Sequence, residues 1–157
     1  MKTVIFVFSF ALAGLFVNAQ DLVTKNGVIY DKDGHPYSGE IITSDKNGVK
    51  ESEAEISSGK FNGEITYYYM SGAIMETGMF LAGIKHGPWV HFNEEGKKVS
   101  FGNYSNGKKE GKWIMWDEKG VKRYEMNYRE GEKTGTWYNW DTNGNLVKTT
   151  QYGNNLK

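Results

Sequence analysis

The sequence predicts an all-β repeat array: antiparallel β-hairpins of 24 residues each, joined into a long twisted meander sheet. Three observations lead there. Glycines recur every 24 residues in three registers, the first at Gly39, Gly63, Gly87, Gly111 and Gly135, the second at Gly48, Gly72, Gly96, Gly120 and Gly144, and the third at Gly59, Gly83, Gly107 and Gly131, with Asn155 in the next place. Fourteen of the twenty glycines fall on these rows, so they mark a repeated unit rather than scattered flexible points. Aromatic and apolar residues repeat with them: Ile41, Ile65, Trp89, Trp113, Trp137 on one row, Ser44, Tyr68, Phe92, Trp116, Trp140 on a second, and Ile56, Phe80, Tyr104, Tyr128, Tyr152 on a third. Finally, few stretches between these glycines reach about ten residues, which leaves room for strands and tight turns but not for helices.

The chain opens with a segment that is set apart. Lys2 is the only charge before Asp21, Val4 to Phe16 is almost wholly apolar, and Val17-Asn18-Ala19 offers small residues where a signal peptidase cuts. Thirteen apolar residues are short for a membrane span, which needs about 20. Residues 1–19 therefore read as a secretory signal peptide cleaved near Ala19, placing the mature protein in the periplasm, the outer envelope or the medium. Residues 20–38 read as an N-terminal cap or partial repeat. It holds the strand candidate Val28-Ile29-Tyr30 and the turn signal Asp33-Gly34, as terminal units of repeat proteins are usually atypical.

Five copies follow without gap or insertion, at 39–62, 63–86, 87–110, 111–134 and 135–157. In each, an apolar run such as Pro88-Trp89-Val90-His91-Phe92 follows the first glycine, a polar turn ends in the second, a further run follows, and a turn such as Asn106-Gly107 closes the unit. Glycine takes positive φ without a Cβ clash, which is what tight hairpin turns require. Every connection is short, so neighbouring strands must be antiparallel. Five copies give ten strands in simple up-and-down order.

Composition narrows the function. Beyond residue 19, 18 basic residues face 19 acidic ones, a formal charge of −1. Nucleic-acid binding favours a strongly basic surface and is not expected. The chain has no cysteine, so packing rather than disulfides must hold it together. Aromatics make up 15% of the residues and are where that packing must come from.

Copies such as GPWVHFNEEGKKVSFGNYSNGKKE and GKWIMWDEKGVKRYEMNYREGEKT resemble the MORN variant repeat, in which Gly-x-Trp is followed by an aromatic three residues on, a glycine turn, and an aromatic before x-Asn-Gly-Lys. Bacterial chains of such repeats are grouped with the YwqK-type antitoxin family. The resemblance covers residues 39–157 fully and 21–38 weakly, and the first copy departs from it with Ile41 and Ser44 in place of aromatics. It implies protein–protein or membrane-proximal binding. The antitoxin label implies a toxin partner in the cytoplasm.

Signs of chemistry are sparse. His35 precedes Pro36 in a turn, His86 is expected in an inter-strand turn and His91 in mid-strand, the last two facing opposite ways. Neither a catalytic nor a metal role is assigned, and no cofactor is expected. The carboxylates of the first turn, Asp45, Glu94-Glu95, Asp117-Glu118 and Asp141, share one solvated environment and read as a wet edge rather than an acid–base pair. Two rows carry the candidate sites. Tyr68, Phe92, Trp116 and Trp140 form a ladder that either packs or offers a contact surface to a protein or polysaccharide. Lys85, Lys109 and Lys133, placed near the second turn, form a ridge that anionic headgroups or polymers can follow, interrupted by Glu110, Glu130 and Glu132. The expected function is a non-enzymatic protein-binding or scaffold role after export, with an unidentified protein partner, a membrane surface or a polysaccharide as its target. An antitoxin-like inhibitor is the alternative, and an envelope enzyme a lower one.

Overall fold

A computed structural model describes residues 22–153 and the backbone of the pair 16–17. Of the expected signal segment, residues 1–19, only that pair is described; the rest lies outside the described residues, as do residues 154–157. Phe16–Val17 is strand β1, Val23–Lys25 β2 and Val28–Tyr30 β3. The array itself is β4 (Gly39–Ser44), β5 (Lys50–Ser57), β6 (Lys60–Tyr68), β7 (Ile74–Leu81), β8 (Ile84–Phe92), β9 (Lys98–Ser105), β10 (Lys108–Trp116), β11 (Lys122–Arg129), β12 (Glu132–Trp140) and β13 (Leu146–Tyr152). Strands β4 to β13 pair in chain order, each antiparallel to the last, as a ten-strand meander that does not close into a barrel. The backbone of β1 pairs with β4 at Thr43 and Ser44.

Two turn types alternate along the array, and they differ in length. Ser58-Gly59, Ala82-Gly83, Asn106-Gly107 and Glu130-Gly131 all have both residues at positive φ, from 49° at Ser58 to 88° at Gly131. These are two-residue turns of the type whose twist matches that of paired strands. The other turns span five residues. In Asp45–Val49, the Asp45 carboxylate accepts the N–H groups of Asn47 and Val49, each at 2.8 Å, while Gly48 takes a φ of 81°. Asp117 and Asp141 repeat this, and so does Asp31 in the turn to His35. These aspartates are therefore more than a wet edge: they hold their turns closed, as Asx side chains do. The backbone N–H groups of Val49 and Asn145 are the main reason the Asp45 and Asp141 carboxyls are held below the usual carboxylate range.

The strands begin earlier than the sequence reading places them. They start right after the two-residue turns, so the first-register glycine falls inside a strand, three residues from the start of β6, β8, β10 and β12. Pairing skips there, as between Glu110 and Ile114 of β10, and Gly87, Gly111 and Gly135 have φ of 65°, 67° and 61°. This is a bulge, and two residues before its glycine a backbone carbonyl faces away from the preceding strand. The next copy uses that carbonyl. Gly83 N–H donates to Phe61 O at 2.7 Å, Gly107 to Lys85 O at 2.9 Å, and Gly131 to Lys109 O at 2.9 Å. His86 accordingly stands in β8 and not in a turn.

The N-terminal segment caps the first copy with the same bond. Gly59 N–H donates to Tyr37 O, and Ile29 N–H donates to Gly59 O. The β2–β3 hairpin brings Ile29 against Ile41 and Ile56, with Leu22, Tyr37 and Phe61 around them. A second cluster centres on Ala54, Ile65 and Trp89.

Candidate interaction faces

Strand alternation sorts the side chains onto two faces. On the first, the ladder face, cross-strand pairs join Ile41 to Ala54, Ile65 to Gly78, Trp89 to Gly102, Trp113 to Met126 and Trp137 to Thr150. Rings touch one another along the whole array, with centroids 5.4 Å apart from Phe61 to Phe80, 5.4 Å on to Trp89, 5.9 Å on to Tyr104, 5.1 Å on to Trp113, and so through Tyr128 and Trp137 to Tyr152. Most of the consecutive rings meet edge to face, the arrangement the aromatic quadrupole favours. Each indole N–H of Trp89, Trp113 and Trp137 donates to a backbone carbonyl, so no polar atom of the ladder is stranded.

Two glycines off the main registers make this packing possible. A Cβ on Gly78 would stand inside the Trp89 indole, and one on Gly102 inside that of Trp113. Neither has positive φ, so their conformation does not demand glycine; the ring above each does.

Lys85, Lys109 and Lys133 stand inside β8, β10 and β12 on this same face. Lys85 Nζ lies 3.5 Å from the Trp89 ring centre, Lys109 4.3 Å from Trp113, and Lys133 4.8 Å from Trp137. Each also reaches the tyrosine of the next strand. Burial lowers the Lys85 and Lys109 pKa from the ordinary lysine value, while the ring faces favour the charged form. The aligned lysines are thus engaged with rings.

Beside the ring ladder the face does not repeat, and one carboxylate stands there. Glu76 stands directly between Tyr67 and His91 of the flanking strands, where other copies have serine, tyrosine or lysine. Burial pushes its carboxyl up, against the pull of the Lys85 and His91 charges. Tyr67 is pushed up to about 12 by burial and by Glu76. Tyr69, standing where other copies have Asp or Asn, lays its ring edge-on to His91 at 6.5 Å and donates to Phe92 O. Sequence reasoning missed this cluster because its members are spread over three strands and each looks isolated in the chain. The signal that could have found it is departure from the repeat.

The second face, here the open face, holds Tyr68, Phe92, Trp116 and Trp140, as alternation from Trp113 and Trp137 predicts. They lie on β6, β8, β10 and β12, and in the same row the intervening strands carry Lys50, Ile74, Lys98 and Lys122, with Leu146 on β13. Among the described residues, none of the four rings touches another of the row. Tyr68 hydrogen-bonds to Glu53 and lies beside Lys50; Trp140 has Lys122 Nζ at 4.1 Å and Tyr138 at 5.7 Å. The next row, in the middle of the face, includes Val90, Phe101, Ile114 and Tyr138. No side chain of the open face is fully buried; the buried apolar residues of the array, Ile41, Ala54, Ile56, Ile65 and Trp89, all belong to the ladder face. Ile74 and Leu146 are 43% and 53% exposed. The structure thus aligns each predicted row along one face, without contact among the four rings, and places the two rows on opposite faces.

At its N-terminal end the open face is acidic. Glu40, Glu53, Glu55 and Glu64 line a shallow concavity with Thr66. At the other end Lys112 and Lys122 grip Glu125 at 2.7 and 3.0 Å and hold its carboxyl below the usual range. Among the described residues no group of three or more His, Asp or Glu is placed to hold a metal ion, and no helix is long and apolar enough to cross a membrane, which says nothing of a β-barrel.

These features define the class: an all-β repeat protein of antiparallel hairpins. No family model matches the chain, and no curated protein matches it. Among solved structures it is similar to the GtfA/B complex bound to UDP and GlcNAc, at 10% identity and a TM-score of 0.30 over 85% of this chain and 24% of that one. It is also similar to accessory secretory protein 1, 2 and 3 of Streptococcus pneumoniae, at 18% identity and a TM-score of 0.25 over 82% of this chain and 22% of that one. The chain spans about a quarter of the length of either, and likeness at this level carries no argument about function.

Proposed function

We propose that this chain is a non-enzymatic binding or scaffold protein, exported by its N-terminal segment, which docks a protein partner on its open face. One observation carries the reading. The ladder-face rings form one continuous series of contacts, whereas the four open-face rings do not touch one another, and no second layer among the described residues covers the face they share with Val90, Phe101 and Ile114. A sheet face of this kind is stable when buried against something, and contiguous apolar patches usually bind. The resemblance to MORN-type repeats supports a binding role. The lysine row Lys85, Lys109 and Lys133 reads as part of the ladder rather than as an anion site.

The test is a photo-reactive phenylalanine analogue placed at Phe92 in cells that produce the full chain. Illumination is expected to give a covalent protein adduct from position 92 and little from the same analogue at Tyr104 on the ladder face. Equal yields from both, or none from position 92, would overturn the docking reading.

A further inference from the structure

We infer that the partner docked on the open face is a protein segment basic at one end and apolar at the other, with lysines or arginines against Glu40, Glu55 and Glu64 and apolar side chains on β7 to β9. The inference rests on the docking reading and names the chemistry of its partner.

The acidic end sets the sign of what docks. Glu40, Glu53, Glu55 and Glu64 line one shallow concavity with Thr66, on three consecutive strands. Glu40 and Glu55 are cross-strand partners, and like charges directly opposite each other are destabilising. Glu53 is matched by Lys50 and Tyr68. Among the described residues no ion pair closes on Glu40, Glu55 or Glu64, and all three are exposed. Lys50 and Lys60 are the basic residues of these strands, two against the four glutamates of the concavity.

The lysines that recur in later copies do not serve as the counter-charge. Lys112 and Lys122 are both held on Glu125. Lys109, Lys133 and Lys148 stand on the ladder face. A small metal ion does not fit either, since among the described residues no three of His, Asp or Glu are placed to hold one. Separate ammonium or guanidinium groups do fit, each on its own carboxylate.

The apolar part begins where the glutamates stop. Glu64 on β6 pairs directly with Met79 on β7. Ile74, Met79, Leu81 and Ile84 are 43%, 39%, 53% and 50% exposed, and alternation from Phe80 and Lys85 puts all four on the open face. Val90 and Phe101 carry the patch on to β8 and β9. A contiguous exposed apolar patch marks a docking surface, and the charge beside it selects the partner. The middle of the acidic end, β5, and the middle of the patch, β8, are three strands apart, or about 14 Å. A partner spans that with about four residues of extended chain or about ten of helix.

Calorimetric titration of the full chain, purified as its cells produce it, with two synthetic peptides is the test. One peptide carries a block of lysines followed by a block of leucine and phenylalanine; its twin carries glutamate in place of lysine. The basic peptide is expected to bind, more weakly as salt rises, and the twin about tenfold more weakly or worse. Glu55→Lys with Glu64→Lys is expected to reverse that preference while leaving the circular dichroism spectrum unchanged. Should that variant fail to fold, Glu64→Gln alone is expected to narrow the gap between the peptides. Glu118→Lys, in a turn away from the concavity, should leave the gap as it is. The position-92 adduct is expected to join a basic and apolar segment of another protein, and its yield to fall in the double variant. Equal binding of the two peptides, or a preference that the glutamate variants do not alter more than Glu118→Lys does, overturns the basic partner; a position-92 adduct that still forms then leaves the docking reading standing. An adduct of twice the chain mass overturns the basic partner in favour of a second copy. No adduct at all overturns the docking reading and this inference with it.

Discussion

On the ladder face every ring from Phe61 to Tyr152 touches the next, and a lysine lies across each of Trp89, Trp113 and Trp137. On the open face Tyr68, Phe92, Trp116 and Trp140 recur at the same 24-residue spacing, yet each is a strand away from a lysine or an aliphatic residue and two strands from the next ring. The same residue types with the same period thus give a closed set of contacts on one side and an unfinished one on the other. The cause is the bulge at the first-register glycine. It tips the residue two places on, such as Trp89, across the preceding strand and over Gly78. The residue three further on also stands at a register shift, as Phe92 does opposite Lys98, but it has no glycine to lie over.

The comparison breaks most visibly at Trp89, which is only 3% exposed. Trp89→Ala removes a ring packed against Phe80 and Tyr104 and is expected to cost about 3–5 kcal/mol in a urea melt. Trp113→Ala should fall near the same value. Trp137→Ala should cost less, since in a repeat array an end copy has a neighbour on one side only. Equal and small losses at all three would mean that the ladder does not hold the sheet.

Next in size are the glycines beneath the rings. Gly102→Ala sets a methyl group where the Trp113 indole lies and should cost about 1–3 kcal/mol, an overpacking effect; the double variant Gly102→Ala with Trp113→Ala should cost less than the sum of its parts, because the clash is gone. Gly107→Val acts through the backbone instead. Its φ is 78°, and a Cβ there would stand 3.2 Å from Ile84 Cγ2, so a cost of at least about 1–2 kcal/mol is expected. An unchanged midpoint for Gly107→Val would contradict the turn geometry.

The hairpin meander and the opposition of the two aromatic rows were legible in the sequence because both follow from period alone: 24 residues fix the turns, and an odd offset fixes the face. Three things were not. The bulge hid because Gly87 reads as the start of an apolar run, whereas pairing begins at Ile84, inside what looks like a turn. Lys85, Lys109 and Lys133 read as a ridge beside the turns, since nothing in a sequence tells a solvated lysine from one lying on an indole. Gly78 and Gly102 lay outside the counted registers, and only the ring above each explains them. Asp45, Asp117 and Asp141 read as solvated, which they are, but the backbone N–H groups they accept depend on how the turn closes.

Glu76 sharpens the comparison on the ladder face, where it is the one carboxylate among the paired strand residues. Burial raises its pKa in the folded state, so over the range from the ordinary glutamate value up to the folded value the native chain holds a proton that the unfolded chain has lost. Stability from this group therefore falls as pH rises through that window and stays lower above it. Glu76→Gln is expected to match the parent below the ordinary glutamate range and to melt higher at neutral pH. A gap that does not change with pH between thermal melts at pH 4 and pH 7.5 would show that Glu76 is not held in an unfavourable setting.

The smallest expected effect is on the other side of the sheet. Trp116 lies half-buried on β10, three residues beyond Trp113, and faces away from the ladder. Removing it opens no hole in the stacked rings and strands no hydrogen bond, because its neighbours in the row are Lys98 on β9 and Lys122 directly opposite on β11. Trp116→Ala should therefore leave the urea midpoint of the isolated chain within about 1 kcal/mol of the parent, as surface changes usually do. Capture at the open face should fall sharply, since aromatic anchors carry most of the energy of a contact surface. Both measurements are needed on the same protein, and under conditions where the chain is monomeric, because a dimer would pass part of its association energy into the melt. A loss at Trp116 as large as that at Trp113 would mean that both rows are structural, and the open face would then have no claim to a partner.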